Sequence, residues 1–346
     1  MKTRLRAFGC VAPLLLFSLA VAGPTPTRAA EPEKKGIVIP PETIGNWGWK
    51  DASRPIKAMA IGGSVTAWPR GPYTAFLHAA CPNVEIVNKG KVGIGALKLK
   101  ERFSKQLIRN RRINLKKHET YLLFQGGLNS LGLPYRTNRD VLKIFNMARK
   151  HGVKVVALSL MSWGNGKSWK EAKGLGKHWK TNLAVDFVTG KLTPEQALGK
   201  WRKGRANPDA WEAGELPAVS INMYESPLRD KDAPLRADTK RLRRMVQTDA
   251  FVRKQLKGLE ADAKAAALEK WVQTARELPR WFMKRDLRAF DSIHPNTEGH
   301  RVMAMHVCPN LPASWGCKCD AIPAMKWSRK RGQGIIPKVK KAASAP

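Results

Sequence analysis

Asp291 and His294 stand three residues apart in the stretch DSIHPNTEGH, and Pro295 follows the imidazole directly. In a turn leading into a helix, a carboxylate at that spacing can hold one ring nitrogen and leave the other free to take a proton, as a general base requires. Pro295 stiffens such a turn. Of the seven histidines, only His294 has an acid three residues before it and a proline after. The same stretch fits a plain helix start, with Asn296 or Thr297 as cap and Val302 and Met303 facing the core, and taken alone the two readings are even. A base needs a nucleophile. Ser64 follows an apolar run and two glycines, so its hydroxyl and its own N–H can face a crevice, although a serine there more often caps a helix.

The elements that must position these residues follow from apolar runs. IKAMAIGG (56–63), VEIVNKG (84–90), ETYLLFQGG (119–127), VKVVALSL (153–160) and AVSINMY (218–224) read as five strands, with helical patterns between them near Tyr73 to Ala80 and Arg139 to His151. Continuous apolar strands separated by helices predict a parallel sheet covered on both faces, an α/β three-layer architecture. Between about Leu235 and Leu278, apolar residues recur at helical spacing from Val252 to Ala275, which predicts one or two long amphipathic helices inserted before the last motif. A helix is also expected from Trp179 to Val188, within a long excursion from Ser162 to Trp211. Beyond Lys326 the basic, Pro- and Ala-containing tail is expected to lack regular structure.

Ligand crevices in such sheets lie at the carboxyl ends of strands. The second strand leads into Lys91-Val92-Gly93-Ile94-Gly95, where glycines let the backbone approach a ligand, and the third into Gly126-Gly127-Leu128-Asn129-Ser130, which places an amide beside a turn. Neither makes the G-x-G-x-x-G of a dinucleotide site, and the phosphate-loop match near Gly166-Lys167-Ser168 lacks its first glycine at Met161.

The set Gly62-x-Ser64, Gly93, Gly127-x-Asn129 and Asp291-x-x-His294, in this order and each at a predicted strand end, resembles the SGNH or GDSL hydrolase superfamily. The match covers Ile56 to Leu160 and Phe290 to about His306. It implies a flavodoxin-like α/β/α fold, with Ser64 as nucleophile, His294 as base and later acid, and Asp291 orienting the imidazole. The N–H groups of Ser64 and Gly93 with the Asn129 amide would form the oxyanion hole, and no metal or organic cofactor would be required. Two positions depart from the family pattern: Gly63 stands where Asp usually precedes the nucleophile, and Ser130 where Asp often follows the oxyanion Asn. These departures put loop rigidity and substrate class in doubt.

The chain is long enough, at 346 residues and 43% hydrophobic, for a substantial core. Its start, MKTRLR followed by a short apolar run to Ala22, predicts a secretory signal peptide over 1–22 and hence a secreted or periplasmic protein. A Pro-rich segment (23–55) would lead into the hydrolase domain (56–312, with the helical insertion at about 235–285) and a basic tail (313–346). Cys81, Cys308, Cys317 and Cys319 remain after the signal. An exported chain would hold them as disulfides, in any of three pairings, while His306 with Cys308, Cys317 and Cys319 is the zinc alternative.

The formal net charge of +36 favours association with polyanions, an anionic polysaccharide or a membrane surface, without a motif for specific nucleic-acid recognition. The resemblance implies cleavage of a carboxylic ester through an acyl-enzyme, most simply removal of acetyl or short acyl groups, and the charge points to a substrate carried on an anionic envelope polysaccharide or lipid. The alternatives are an O-acyltransferase with the same residues, or a polyanion-binding protein on a degenerate scaffold.

Overall fold

The computed structural model describes residues 47–167, 171–199 and 217–336. The predicted signal peptide, most of the Pro-rich lead-in and the end of the basic tail lie outside the described residues. Five strands, β1 (Ile56–Gly62), β2 (Val84–Asn88), β3 (Glu119–Gln125), β4 (Lys154–Leu158) and β5 (Val219–Ile221), form one parallel sheet in the order β2-β1-β3-β4-β5. This is the flavodoxin-like order, whose crevice lies at the carboxyl ends of β1 and β3, where the connections leave in opposite directions. The helices in chain order are α1 (Tyr73–Ala80), α2 (Ala96–Phe103), α3 (Pro134–Lys150), α4 (Glu171–Val188), α5 (Pro194–Leu198), α6 (Thr239–Thr248), α7 (Ala250–Gln255), α8 (Ala261–Glu277) and α9 (Thr297–Val307).

Strand alternation divides the apolar runs between two cores, because successive side chains leave a strand on opposite faces. Ala58 and Ala60 of β1 and Tyr121 and Leu123 of β3 pack with α1 and α9. Met59 and Ile61, with Leu122 and Phe124, pack instead with α2 and α3. Both faces are thus covered, which makes three layers and explains why the strands read as unbroken apolar runs. The one charge within β1, Lys57, is 1% exposed and meets the Glu85 carboxylate of β2 at 2.9 Å, the pairing a buried ammonium needs.

The insertion differs from the expected one or two long helices: α6, α7 and α8 are three. Asp249 breaks the run, because it terminates α6 in extended conformation while its side chain accepts from Val252 N–H at 2.8 Å to start α7. Leu242, Val246, Val252, Val272 and Ala275 form a third core with Leu175 and Val185 of α4 and with Trp163 and Tyr224. α4 begins eight residues before the predicted Trp179.

The tail is ordered further than expected. Lys326–Ser328 (β6) and Gln333–Ile335 (β7) pair antiparallel as a hairpin, and Trp315 is wholly buried, edge-on to Tyr121 with ring centroids 5.2 Å apart. Two disulfides fix the region, Cys81 to Cys317 and Cys308 to Cys319. The first ties the end of α1 to a segment 236 residues later. The cysteines of the zinc alternative are therefore oxidised, and His306 instead meets the Asn222 carbonyl at 3.2 Å.

Candidate active site

Three strand ends hold the turn that carries Ser64. Gly63 N–H donates to the Gln125 carbonyl of β3 at 3.3 Å, Lys91 N–H donates to the Gly62 carbonyl at 3.0 Å, and the Asn88 amide of β2 donates to the Thr66 carbonyl at 2.6 Å. Ala67 N–H closes the turn on the Gly63 carbonyl at 3.0 Å. The approach is so close that a Cβ on Gly62 would lie 2.0 Å from Thr66 Oγ1 and 2.2 Å from the Gln125 carbonyl oxygen, which requires glycine there. Gly63 is different: a Cβ would come no nearer than 3.6 Å to any atom, and that atom is Asn129 Nδ2. The departure at Gly63 is not forced by space.

His294 arrives from the loop before α9. Asn296 caps that helix, its side chain accepting from Gly299 N–H at 2.9 Å, so the cap reading of DSIHPNTEGH is correct. The carboxylate–imidazole geometry expected of a base and its orienting acid is present beside it. One oxygen of Asp291 accepts from Ile293 N–H and His294 N–H, both at 3.0 Å, and the other meets His294 Nδ1. Partial burial raises the Asp291 carboxyl, but the backbone N–H groups of His294 and Ile293 and the imidazole outweigh it and hold the group below its ordinary range. The opposite ring nitrogen, His294 Nε2, lies 2.5 Å from Ser64 Oγ. Sequence-distant Ser64, His294 and Asp291 thus form one continuous hydrogen-bonded chain.

The expected oxyanion donors lie on the two loops flanking this chain. Gly93 adopts φ +76°, in the left-handed region that favours glycine. The Asn129 amide donates to the Ile94 carbonyl at 3.2 Å, next to Gly93 and beside Gly63. Ser130, the second departure, accepts from Ala96 N–H at 3.1 Å and donates to the Gly127 carbonyl at 3.1 Å. Its hydroxyl ties the Asn129 turn to the start of α2, so a serine supplies the loop rigidity that the departure had put in doubt.

Three partners of the site carry no motif signal. Trp68 stacks on His294, ring centroids 5.5 Å apart and planes inclined by 22°, and also contacts the His300 ring at 5.7 Å. His300 is fully buried, and its Nδ1 accepts from Tyr73 N–H at 3.3 Å. Burial above all, with His294 nearby, pushes its pKa down to about 3, which keeps it neutral. Asn165 donates to Ser292 Oγ at 2.6 Å, while Gly164 N–H donates to the Ser292 carbonyl at 2.8 Å. Ser292 takes φ +61°, a conformation that side chains other than glycine seldom adopt, and these two bonds hold it there. A tryptophan four residues after the serine, in the same turn, was the available clue to Trp68. For Asn165, more than a hundred residues from Ser292, the sequence offers none.

Among the described residues, one group of side chains has metal-ligand spacing: the sulfurs of Cys81, Cys308 and Cys317, within 4.8 Å of one another. All three are in disulfides.

No protein-family model matches the chain, and no curated protein matches it in sequence. Solved structures do resemble its fold. A GDSL-like lipase from Bacteroides thetaiotaomicron is 11% identical, over 73% of this chain and 85% of its own, with a TM-score of 0.40. A catalytic mutant of an acetylxylan esterase from Geobacillus stearothermophilus is 13% identical, over 76% of this chain and 97% of its own, with a TM-score of 0.38. A member of the lipolytic protein G-D-S-L family from Veillonella parvula is 12% identical, over 73% and 96%, with a TM-score of 0.38. The three-layer sheet order described above is the architecture that the SGNH resemblance of the sequence blocks implies.

Proposed function

We propose that the protein is a serine hydrolase of carboxylic esters that works through an acyl-enzyme. One observation carries the proposal: Ser64 Oγ lies 2.5 Å from His294 Nε2, while Asp291 occupies the other nitrogen of the same ring. Ser64 Oγ attacks the ester carbonyl carbon as His294 takes its proton. Collapse of the tetrahedral intermediate breaks the bond to the alkoxide, which leaves as the alcohol with the proton from His294. Water then repeats the sequence on the acyl-serine, giving the carboxylic acid and restoring Ser64. The developing oxyanion would be met by the N–H groups of Ser64 and Gly93 and by the Asn129 amide, which exchanges the Ile94 carbonyl for it. A single donor of this kind is worth about 2.7 to 4 kcal/mol.

The two disulfides support export, since such bonds persist in oxidising compartments. The net charge of +36 supports a substrate displayed on an anionic polymer or lipid. If a sugar hydroxyl replaced water in the second half, the same residues would make an acyltransferase, and product analysis with and without an acceptor separates the two. The test of the reading is labelling by a fluorophosphonate probe: the native protein should label and Ser64→Ala should not. A folded native protein that fails to label would refute it.

A further inference from the structure

Seven large apolar side chains are exposed among the described residues, and the three most exposed are Phe290 at 97%, Val92 at 65% and Leu133 at 63%. All three lie on the loops that carry the candidate site. Phe290 precedes Asp291, Val92 precedes Gly93, and Leu133 lines a cavity of about 340 Å³ together with Asn129 and Arg136. Phe290 is not on a loose tip. Ser292 N–H donates to the Ala289 carbonyl at 3.1 Å and Ala289 N–H to the His294 carbonyl at 2.7 Å, so a closed turn holds Phe290 outward while its neighbour Asp291 turns in to the imidazole. Cations accompany each of these residues in sequence: Lys91 beside Val92, Arg136 near Leu133, and Arg285 and Arg288 before Phe290, against Asp140, Asp286 and Asp291, the last of which is taken up by His294.

We propose that this face docks the mouth of the site on an anionic lipid surface, with Phe290 and Val92 entering the headgroup layer and the surrounding cations meeting lipid phosphates. Apolar side chains that water would otherwise face, set among basic residues, are what binding in the plane of an anionic interface requires. No helix among the described residues is long and apolar enough to cross a membrane. A soluble acidic polysaccharide would satisfy the charge and could stack on the phenyl ring, but it offers no apolar layer to the exposed aliphatic side chains of Val92 and Leu133. A second copy of the chain would set one strongly basic protein against another.

The test is co-sedimentation with vesicles, a readout that does not depend on hydrolysis. Vesicles containing phosphatidylglycerol should bind the protein, and vesicles of phosphatidylcholine alone should bind it far less. Phe290→Ser combined with Val92→Ser should weaken binding to the anionic vesicles about tenfold or more at fixed ionic strength. Leu259→Ser, at an exposed apolar residue of the insertion (42% exposed), should leave it unchanged. Unaltered thermal unfolding of the double variant would show that the fold persists. The proposal fails if the native protein binds neither vesicle, if the double variant binds as the native protein does, or if Leu259→Ser weakens binding equally. It also fails if the double variant loses a soluble acidic polysaccharide by the same factor, or if its effect follows the loss of a dimer.

Discussion

The indole of Trp68 lies against the imidazole of His294, with ring centroids 5.5 Å apart and planes inclined by 22°. The carboxylate of Asp291 fixes the in-plane direction of the ring; Trp68 fixes the plane itself. With one nitrogen on Asp291 and one face on Trp68, the imidazole has little freedom to turn its other nitrogen away from Ser64.

Trp68→Ala should therefore lower kcat for a small ester by about tenfold to a hundredfold and change KM little, since a slight displacement of a catalytic group costs rates of that order. Trp68→Phe, which keeps a stacking face, should recover much of the loss. Equal losses in the two variants would show that the stacking face is not what the indole supplies.

Asp291→Asn keeps an acceptor for the N–H groups of Ile293 and His294 but presents an amide to the ring or favours the wrong tautomer. kcat should fall by about a thousandfold or more while the fold remains. Steady-state kinetics together with thermal unfolding check both halves of this expectation.

Gly62→Ala should abolish labelling of Ser64, because the added carbon would overlap the Thr66 hydroxyl and the Gln125 carbonyl. Gly63→Ala should retain labelling, since its nearest neighbour would be at ordinary contact distance. If both variants lost labelling alike, the contrast drawn between the adjacent glycines would be wrong.

Much of this arrangement was legible in the sequence, and the reasons are physical. A doubly covered parallel strand has to be apolar on both faces, so β1 to β5 stand out as runs, and Asp-x-x-His-Pro is compact enough to be seen whole. The hairpin of Lys326–Ser328 and Gln333–Ile335 was hidden, because its residues are mostly basic or small and it is held by packing. Gly334 sits so close to α1 that a Cβ there would lie 2.7 Å from the Phe76 ring. The cysteine pairing was likewise illegible: it depends on which chain ends meet in space, and four cysteines have three answers.

Acid should weaken the fold through two buried histidines. Burial first, then Arg229, lowers the pKa of His178 to about 4, and burial first, then His294, lowers that of His300 to about 3. Both are below the ordinary value of 6.5, so the unfolded chain binds more protons, and stability falls as pH drops from about 6.5 toward 4 and 3. The loss by pH 4 should be on the order of a few kcal/mol. His178→Gln should flatten part of the dependence of unfolding free energy on pH in urea titrations; an unchanged slope would contradict the assignment.

Loss of the disulfide between Cys81 and Cys317 in Cys317→Ser should cost about 2 to 5 kcal/mol, and more than loss of the one between Cys308 and Cys319 in Cys319→Ser. The first closes a loop of 236 residues and the second one of 11. Comparative chemical unfolding of the two variants checks the order.

The contact between Ser64 and His294 joins residues 230 positions apart. During synthesis the serine is made early and its base near the end. A nascent or prematurely terminated chain that ends before His294 would therefore carry the proposed nucleophile without its proposed base. On the proposed chemistry, acyl transfer would have to wait until the turn holding His294 is made and docked, and a chain cut short before residue 294 should be chemically silent.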